Sequence, residues 1–251
     1  MYLYQKKYAD AEKESAEVIA RTQQYKLHAE LDSVFLKESR EAILQLQPTD
    51  PRSNQPHVKD AITYLGYYWD GATSHIAGRV WLSDALLNSF ESGDLRRTYW
   101  VGEGIDTVAD RFPYKYKQYA VNAPSKEYLV MLRLSEQYLI QAEALAARGD
   151  ITHALESLNA VRGRAGLDDL DLTDPTAFAA ALLKERRTEL FSEWGHRWFD
   201  LKRLGLIDEV MNQAAPVKGT SWNVNKAVFA IPYADLSANG QLKQNTGYPS
   251  P

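Results

Sequence analysis

The stretch KERRTELFSEWGHRWFDLKRLG, from Lys184 to Gly205, mixes Arg, Glu, His and Trp more densely than any other part of the chain. Placed on one helix, Glu185, Glu189, Glu193 and Arg197 fall in line at steps of four. Successive carboxylates at that spacing repel, at roughly 0.2–0.5 kcal/mol per exposed pair, so basic neighbours are expected to answer them. Arg186 to Glu189 and Arg197 to Asp200 stand at i,i+3, and Glu193 to Arg197 at i,i+4. Leu183, Leu190, Trp194 and Trp198 supply the apolar side. The stretch therefore reads as a half-buried scaffold helix with an ion-pair network of Arg186, Glu189, Glu193, Arg197 and Asp200.

A chemical reading competes with it. Glu193 and His196 have the Glu-x-x-His spacing of di-iron carboxylate bundles. Such a site needs a second motif of the same kind, and His28, His57, His75 and His153 have no Glu three residues before them. Gly195 also interrupts the helix that the motif requires. No metal site and no cofactor are expected.

Upstream, Asp174-Pro175 is a helix start, with Asp at the N-cap and Pro at the first helical position. Before it, Met131, Leu134, Tyr138, Ala142 and Leu145 recur at helical steps from Tyr128 onward. The run Ala147–Asp150 breaks that helix, and Asp150 caps the next, which carries Ile151, Ala154, Leu158 and Val161. Two helices joined by so short a turn form an αα-hairpin. A further helix is expected from about Ala9 to Gln24, and its KYADAEKESAEVI resembles DITHALESLNAVR of the hairpin. Small Ala at the close approach of two helices is the device of tetratricopeptide repeats. The two copies are far apart, and few residues precede Tyr8 where a first helix should stand. The chain is thus expected to be the C-terminal portion of a longer protein, with Met1 an expression artefact or an internal start.

Between the copies the character changes. Residues 49–123 read as a large, loop-dominated, aromatic-rich insertion, preceded by an apolar stretch ending at Pro48 that suits a short strand or a buried extended segment. One short helix, capped by Ser83, is expected inside it. Tyr64, Tyr67, Tyr68, Trp69 and Trp81 stand there beside Asp70. Sugar rings lay their C–H faces on Tyr and Trp while their hydroxyls seek polar side chains, so these six are the candidate ligand contacts. Most rings of such a region fill a core, and two or three exposed ones suffice to bind a glycan.

The bulk numbers narrow the function classes. The 251 residues suit one large domain or two small ones, and a net charge of −4 leaves no basic excess for nucleic acid. With no cysteine, disulfides, thiol catalysis and Cys-based zinc sites are excluded. Neither a nucleophile elbow nor a phosphate-binding glycine loop occurs. The catalytic carboxylates of a glycoside hydrolase are defined by distance in space, and the sequence singles out no pair. No signal-peptide core and no membrane-spanning run is present.

Four segments carry a resemblance to a known family. They are VMLRLSEQYLIQAEALAARGD (Val130–Asp150), LNAVRGRAGL (Leu158–Leu167), the opening Lys184–Gly205 stretch, and AIPYADLSANGQLKQNTGYP (Ala230–Pro249). Together they resemble the SusD/RagB-like outer-membrane nutrient-binding lipoproteins of Bacteroidetes, in the family's order. The resemblance implies a mostly α fold of tetratricopeptide-like helical hairpins with little β, forming one SusD-like domain over 1–251. It implies a non-catalytic, surface-exposed protein, held at the outer membrane by an N-terminal lipid anchor absent from this chain. Its partners would be a glycan or other nutrient oligomer and a SusC-like TonB-dependent porin. The alternatives are a helical protein-interaction scaffold without a small-molecule ligand and, behind it, a carboxylate-dependent glycoside hydrolase.

Overall fold

The computed structural model describes residues 1–48, 58–65, 80–103, 111–118 and 124–249. It contains two compact units, Met1–Trp194 and Gly195–Pro251. The fold is mostly α with little strand, as expected, and no described helix is long and apolar enough to cross a membrane.

The expected hairpin is α5 (Leu134–Ala147) and α6 (Ile151–Arg164). Gly149, at φ 88°, makes the left-handed turn between them, and the Asp150 side chain accepts from the His153 amide at the start of α6. Ala142 and Ala154 are fully buried with Leu139, Leu158 and Val161, so the two backbones approach closely. Phe178 and Leu182 of α7 (Pro175–Glu189) close the same core, behind the Asp174 cap and N1 proline. The early helix α1 (Tyr8–Ile19) packs on α5 through Ala11 and Ala144, and Leu3, from the turn before α1, joins the same cluster. It ends at Ile19, short of the expected Gln24, in a run of turns. Buried Ser15 in its midst returns its hydroxyl to the Ala11 carbonyl at 2.8 Å.

Two short antiparallel ribbons stand beside the helices. The first pairs β1 (Ala42–Leu46) with β4 (Leu129–Arg133). The helix expected from Tyr128 is corrected here, because Met131 lies on β4 and α5 begins only at Leu134. The switch falls at Arg133, whose φ −139° and ψ 157° are extended. The short apolar run LVML has no helical cap before it and pairs with β1, so tertiary pairing overrides the helical spacing. The second ribbon pairs β2 (Val101–Glu103) with β3 (Arg111–Pro113). Gly102 is required there, since a Cβ would fall 2.3 Å from the Phe112 ring. Between the ribbons lie α2 (Lys59–Leu65), α3 (Asp84–Leu87) and α4 (Leu95–Tyr99). Ser83 caps α3 and Asp94 caps α4. A second core gathers Leu31, Val34, Phe35, Trp100, Tyr116, Val130 and Phe191.

The stretch that opened the sequence reading is not one helix, which is a second correction. α7 ends at Glu189, and Ser192 and Trp194 take left-handed φ values of 60° and 44°, followed by Gly195 at 69°. Two non-glycine residues in that region carry a local cost, and it is offset by what the turn places. Leu190 and Phe191 enter the two cores, Trp194 Nε1 donates to the Val130 carbonyl at 2.8 Å, and the Glu193 carboxylate points inward. Glu193 therefore shares no helix face with Glu189, Arg197 or His196, and the Glu-x-x-His motif has no helical geometry.

In the second unit, α8 (His196–Arg203) carries Arg197 and Asp200, and Arg203 Nε donates to Asp200 Oδ1 at 2.9 Å. Helix α9 (Ile207–Val217) follows, then the short α10 (Tyr233–Ala238). Trp198 stacks on Phe229 with centroids 5.4 Å apart and meets Trp222 edge-on at 6.0 Å.

Candidate ligand-binding surface and its ionic scaffold

Three charged residues of α7 face inward, more deeply buried than the sequence suggests, while Lys184 stays exposed. Glu185, Arg186 and Glu189 are each at most 3% exposed. The cations that answer the carboxylates come from distant elements. Arg96 of α4 binds Glu185 at 2.5 Å and Glu189 at 3.0 Å, and is itself gripped by the Asp94 carboxylate at 2.8 and 2.9 Å. Arg133 reaches Glu189 at 2.5 Å, Glu41 at 3.2 Å and both oxygens of Glu193 at 2.8 and 3.0 Å. Arg164 from the end of α6 pairs with Glu41 and Glu189. Arg162 forks onto Glu91 at 2.9 and 3.2 Å. Such bidentate geometry is what makes burial of these charges tolerable.

The electrostatics follow from this packing. Burial opposes ionisation of Glu189, and Arg164, Arg133 and Arg96 outweigh it, holding its carboxyl well below the usual range. Glu193 is held low in the same way, against burial, by Arg133 and Lys115. Burial instead wins at Glu185, whose carboxyl is pushed up. Lys115 is buried as well. Its ammonium donates to the Glu189 carbonyl at 2.7 Å and to Glu193 at 2.5 Å, and lies 4.1 Å from the Phe191 centroid and 4.7 Å from that of Trp100. Burial pushes its pKa down to about 8 despite Glu193.

Lys115, Arg96, Arg164 and Glu41 escaped the sequence reading, which sought partners three or four residues away. One signal was present: Arg96 and Arg162 have no acidic residue three or four positions away on either side, so a partner at helical spacing could not account for them. Among the described residues no group of three or more His, Asp or Glu is arranged to hold a metal.

The aromatic candidates divide. Tyr67, Tyr68, Trp69 and Asp70 lie outside the described residues. Tyr64, on α2, is half-buried, with its hydroxyl in hydrogen-bond reach of the Ser192 side chain. Burial and nearby Asp60 raise its pKa. Trp81 is 46% exposed and Tyr99 42%, whereas Trp100 is fully buried, its Nε1 on the Leu31 carbonyl at 3.1 Å. Around them Leu82 N donates to the Arg111 carbonyl at 2.7 Å, Lys117 Nζ sits 4.7 Å from the Tyr114 centroid and 2.9 Å from the Tyr99 carbonyl, and Arg111 pairs with Glu103 at 3.1 Å. Exposed rings beside fixed polar groups can take a ligand with apolar faces and a hydroxylated rim. Buried rings next door hold the platform.

An α5–α6 hairpin beside a buried ionic core defines the scaffold. The family model for the SusD family matches residues 13–248, and the chain belongs to that family. A curated relative, SusD-like protein P38 of Formosa agariphila, is 30% identical over 129 residues, 48% of this chain and 24% of that protein. Surface glycan-binding protein A of Bacteroides thetaiotaomicron superposes with a TM-score of 0.74 at 22% identity, over 98% of this chain and 61% of that one. The same protein in complex with laminarihexaose gives 0.72 at 22% identity, over 97% and 61%. A SusD superfamily protein of Bacteroides vulgatus gives 0.75 at 18% identity, over 98% and 60%. The chain thus spans about six-tenths of the length of these structural relatives.

Proposed function

We propose that this protein binds a glycan or similar nutrient oligomer at the cell surface and passes it to a SusC-like TonB-dependent porin, without catalysing a reaction. Membership of the SusD family carries the proposal. The complex of a structural relative with laminarihexaose supports a carbohydrate as the ligand class. So do the half-exposed rings of Trp81 and Tyr99. In this reading Tyr64, Tyr67, Tyr68, Trp69, Asp70 and Trp81 form the ligand surface. Arg186, Glu189, Glu193, Arg197 and Asp200 serve the fold. The protein works at the outer membrane, held there by a lipid anchor. The engagement of the ionic core's described carboxylates by Arg or Lys supports the non-catalytic reading.

The test is a panel of oligosaccharides, laminarihexaose among them, titrated calorimetrically against the full-length protein. Saturable binding to at least one, with unaltered sugar recovered afterwards, is expected. Silence across the panel would favour a protein-interaction scaffold. Sugar recovered in shorter pieces would overturn the non-catalytic reading.

A further inference from the structure

The segment between α1 and β1 is organised around one residue. Arg40 Nη2 donates to the carbonyls of Thr22 at 2.8 Å and Gln23 at 2.9 Å. Its carbonyl accepts from the Lys26 amide at 3.0 Å. Its own amide donates to Nε2 of His28 at 3.1 Å. The His28 amide in turn donates to Glu41 Oε2 at 3.2 Å, and Glu41 belongs to the buried ionic core through Arg133 and Arg164. A backbone N–H that points at Nε2 fixes the state of the ring: Nε2 carries no proton, so the imidazole is neutral with its hydrogen on Nδ1.

We propose that His28 is a proton-sensitive latch, which when neutral tightens the Thr22–His28 loop onto Arg40 and when protonated at Nε2 loosens it. The step is a single proton uptake. A protonated Nε2 turns an acceptor into a second donor facing the Arg40 N–H, and that hydrogen bond cannot survive. The charged groups around the ring decide whether the new cation is welcome. Glu41 attracts it, but that carboxylate is already committed to Arg133 and Arg164. Lys26, Arg164 and Arg40 all repel it, and the half-buried ring loses solvation. Burial leads in holding the His28 pKa below the ordinary histidine value, with these three cations adding to it. The latch is therefore shut at neutral pH and opens on acidification. The Arg40 guanidinium keeps its bonds to the Thr22 and Gln23 carbonyls, so the loop loosens without detaching.

Two measurements on the full chain test this. Long-range 15N NMR of the imidazole at neutral pH should show unprotonated Nε2, and amide exchange, corrected for intrinsic rates, should report on Arg40 and Lys26. Protection of both amides is expected to fall about tenfold between about pH 7.5 and about pH 5, the interval over which a histidine charges. His28→Gln offers a carbonyl acceptor that does not titrate, and should keep the protection constant across that interval. Nε2 found protonated at neutral pH would overturn the proposal, and so would an equal loss of protection in wild type and His28→Gln. Should His28→Gln fail to fold, the wild-type tautomer and the wild-type change in protection decide the matter.

Discussion

Arg133 grips both carboxylate oxygens of Glu193, Nε to Oε2 at 2.8 Å and Nη2 to Oε1 at 3.0 Å, across sixty positions of sequence. This pair fastens the turn after α7 to the junction of β4 and α5, where strand becomes helix. Glu193→Gln leaves the buried Arg133 and Lys115 with too little negative charge. Breaking a buried pair from one side is expected to cost about 3–5 kcal/mol. Urea denaturation of the two proteins measures it, and a change under about 1 kcal/mol would show that the pair is dispensable.

Lys115 gives a pH dependence of opposite sign to a surface salt bridge. Its folded-state pKa, about 8, lies below the ordinary lysine value of 10.5. Between those values the unfolded chain binds the proton more readily than the folded one. This residue therefore adds stability as pH rises through that window, on the order of 3 kcal/mol in all. Lys115→Met is expected to remove that rise. Denaturant midpoints at about pH 7.5 and about pH 9.5 compare the two proteins, and parallel pH profiles would sink the assignment.

Gly102→Ala tests the second ribbon. The added methyl would overlap the Phe112 ring, so ring or strand must shift, at about 1–3 kcal/mol. Thermal unfolding reads the loss. An unchanged midpoint would mean that the ring moves aside freely.

Much of the scaffold was legible from the sequence because its signals are local. Asp150, Asp174 and Ser83 were read as caps from residue type and position, and each accepts the expected amide. Small Ala11 and Ala154 marked the close helix approaches in the sequence, and both are buried against α5. The errors fall where distant contacts override local spacing. LVML has helical spacing with the residues after it, yet pairs with β1 as a strand. Glu193 continues a four-residue ladder on paper, while Ser192, Trp194 and Gly195 turn it inward toward cations far away in sequence. Side-chain spacing cannot report a partner that the chain brings from sixty residues off. For the ligand surface, composition pointed to Trp81 and Tyr64 but could not tell exposed Tyr99 from buried Trp100, its neighbour.

The central claim is a division of labour, in which the charged residues of the Lys184–Gly205 stretch hold the fold and the exposed rings hold the ligand. Calorimetric titration of the full-length protein with a glycan from the panel that binds, compared with Trp81→Ala and Arg197→Ala, tests it most directly. Trp81→Ala is expected to weaken binding about tenfold or more, the loss of one stacked ring, at an unchanged unfolding temperature. Arg197→Ala is expected to lower the unfolding temperature and leave the affinity of the folded protein intact. Undiminished binding by Trp81→Ala, together with a folded Arg197→Ala that no longer binds, would contradict the account.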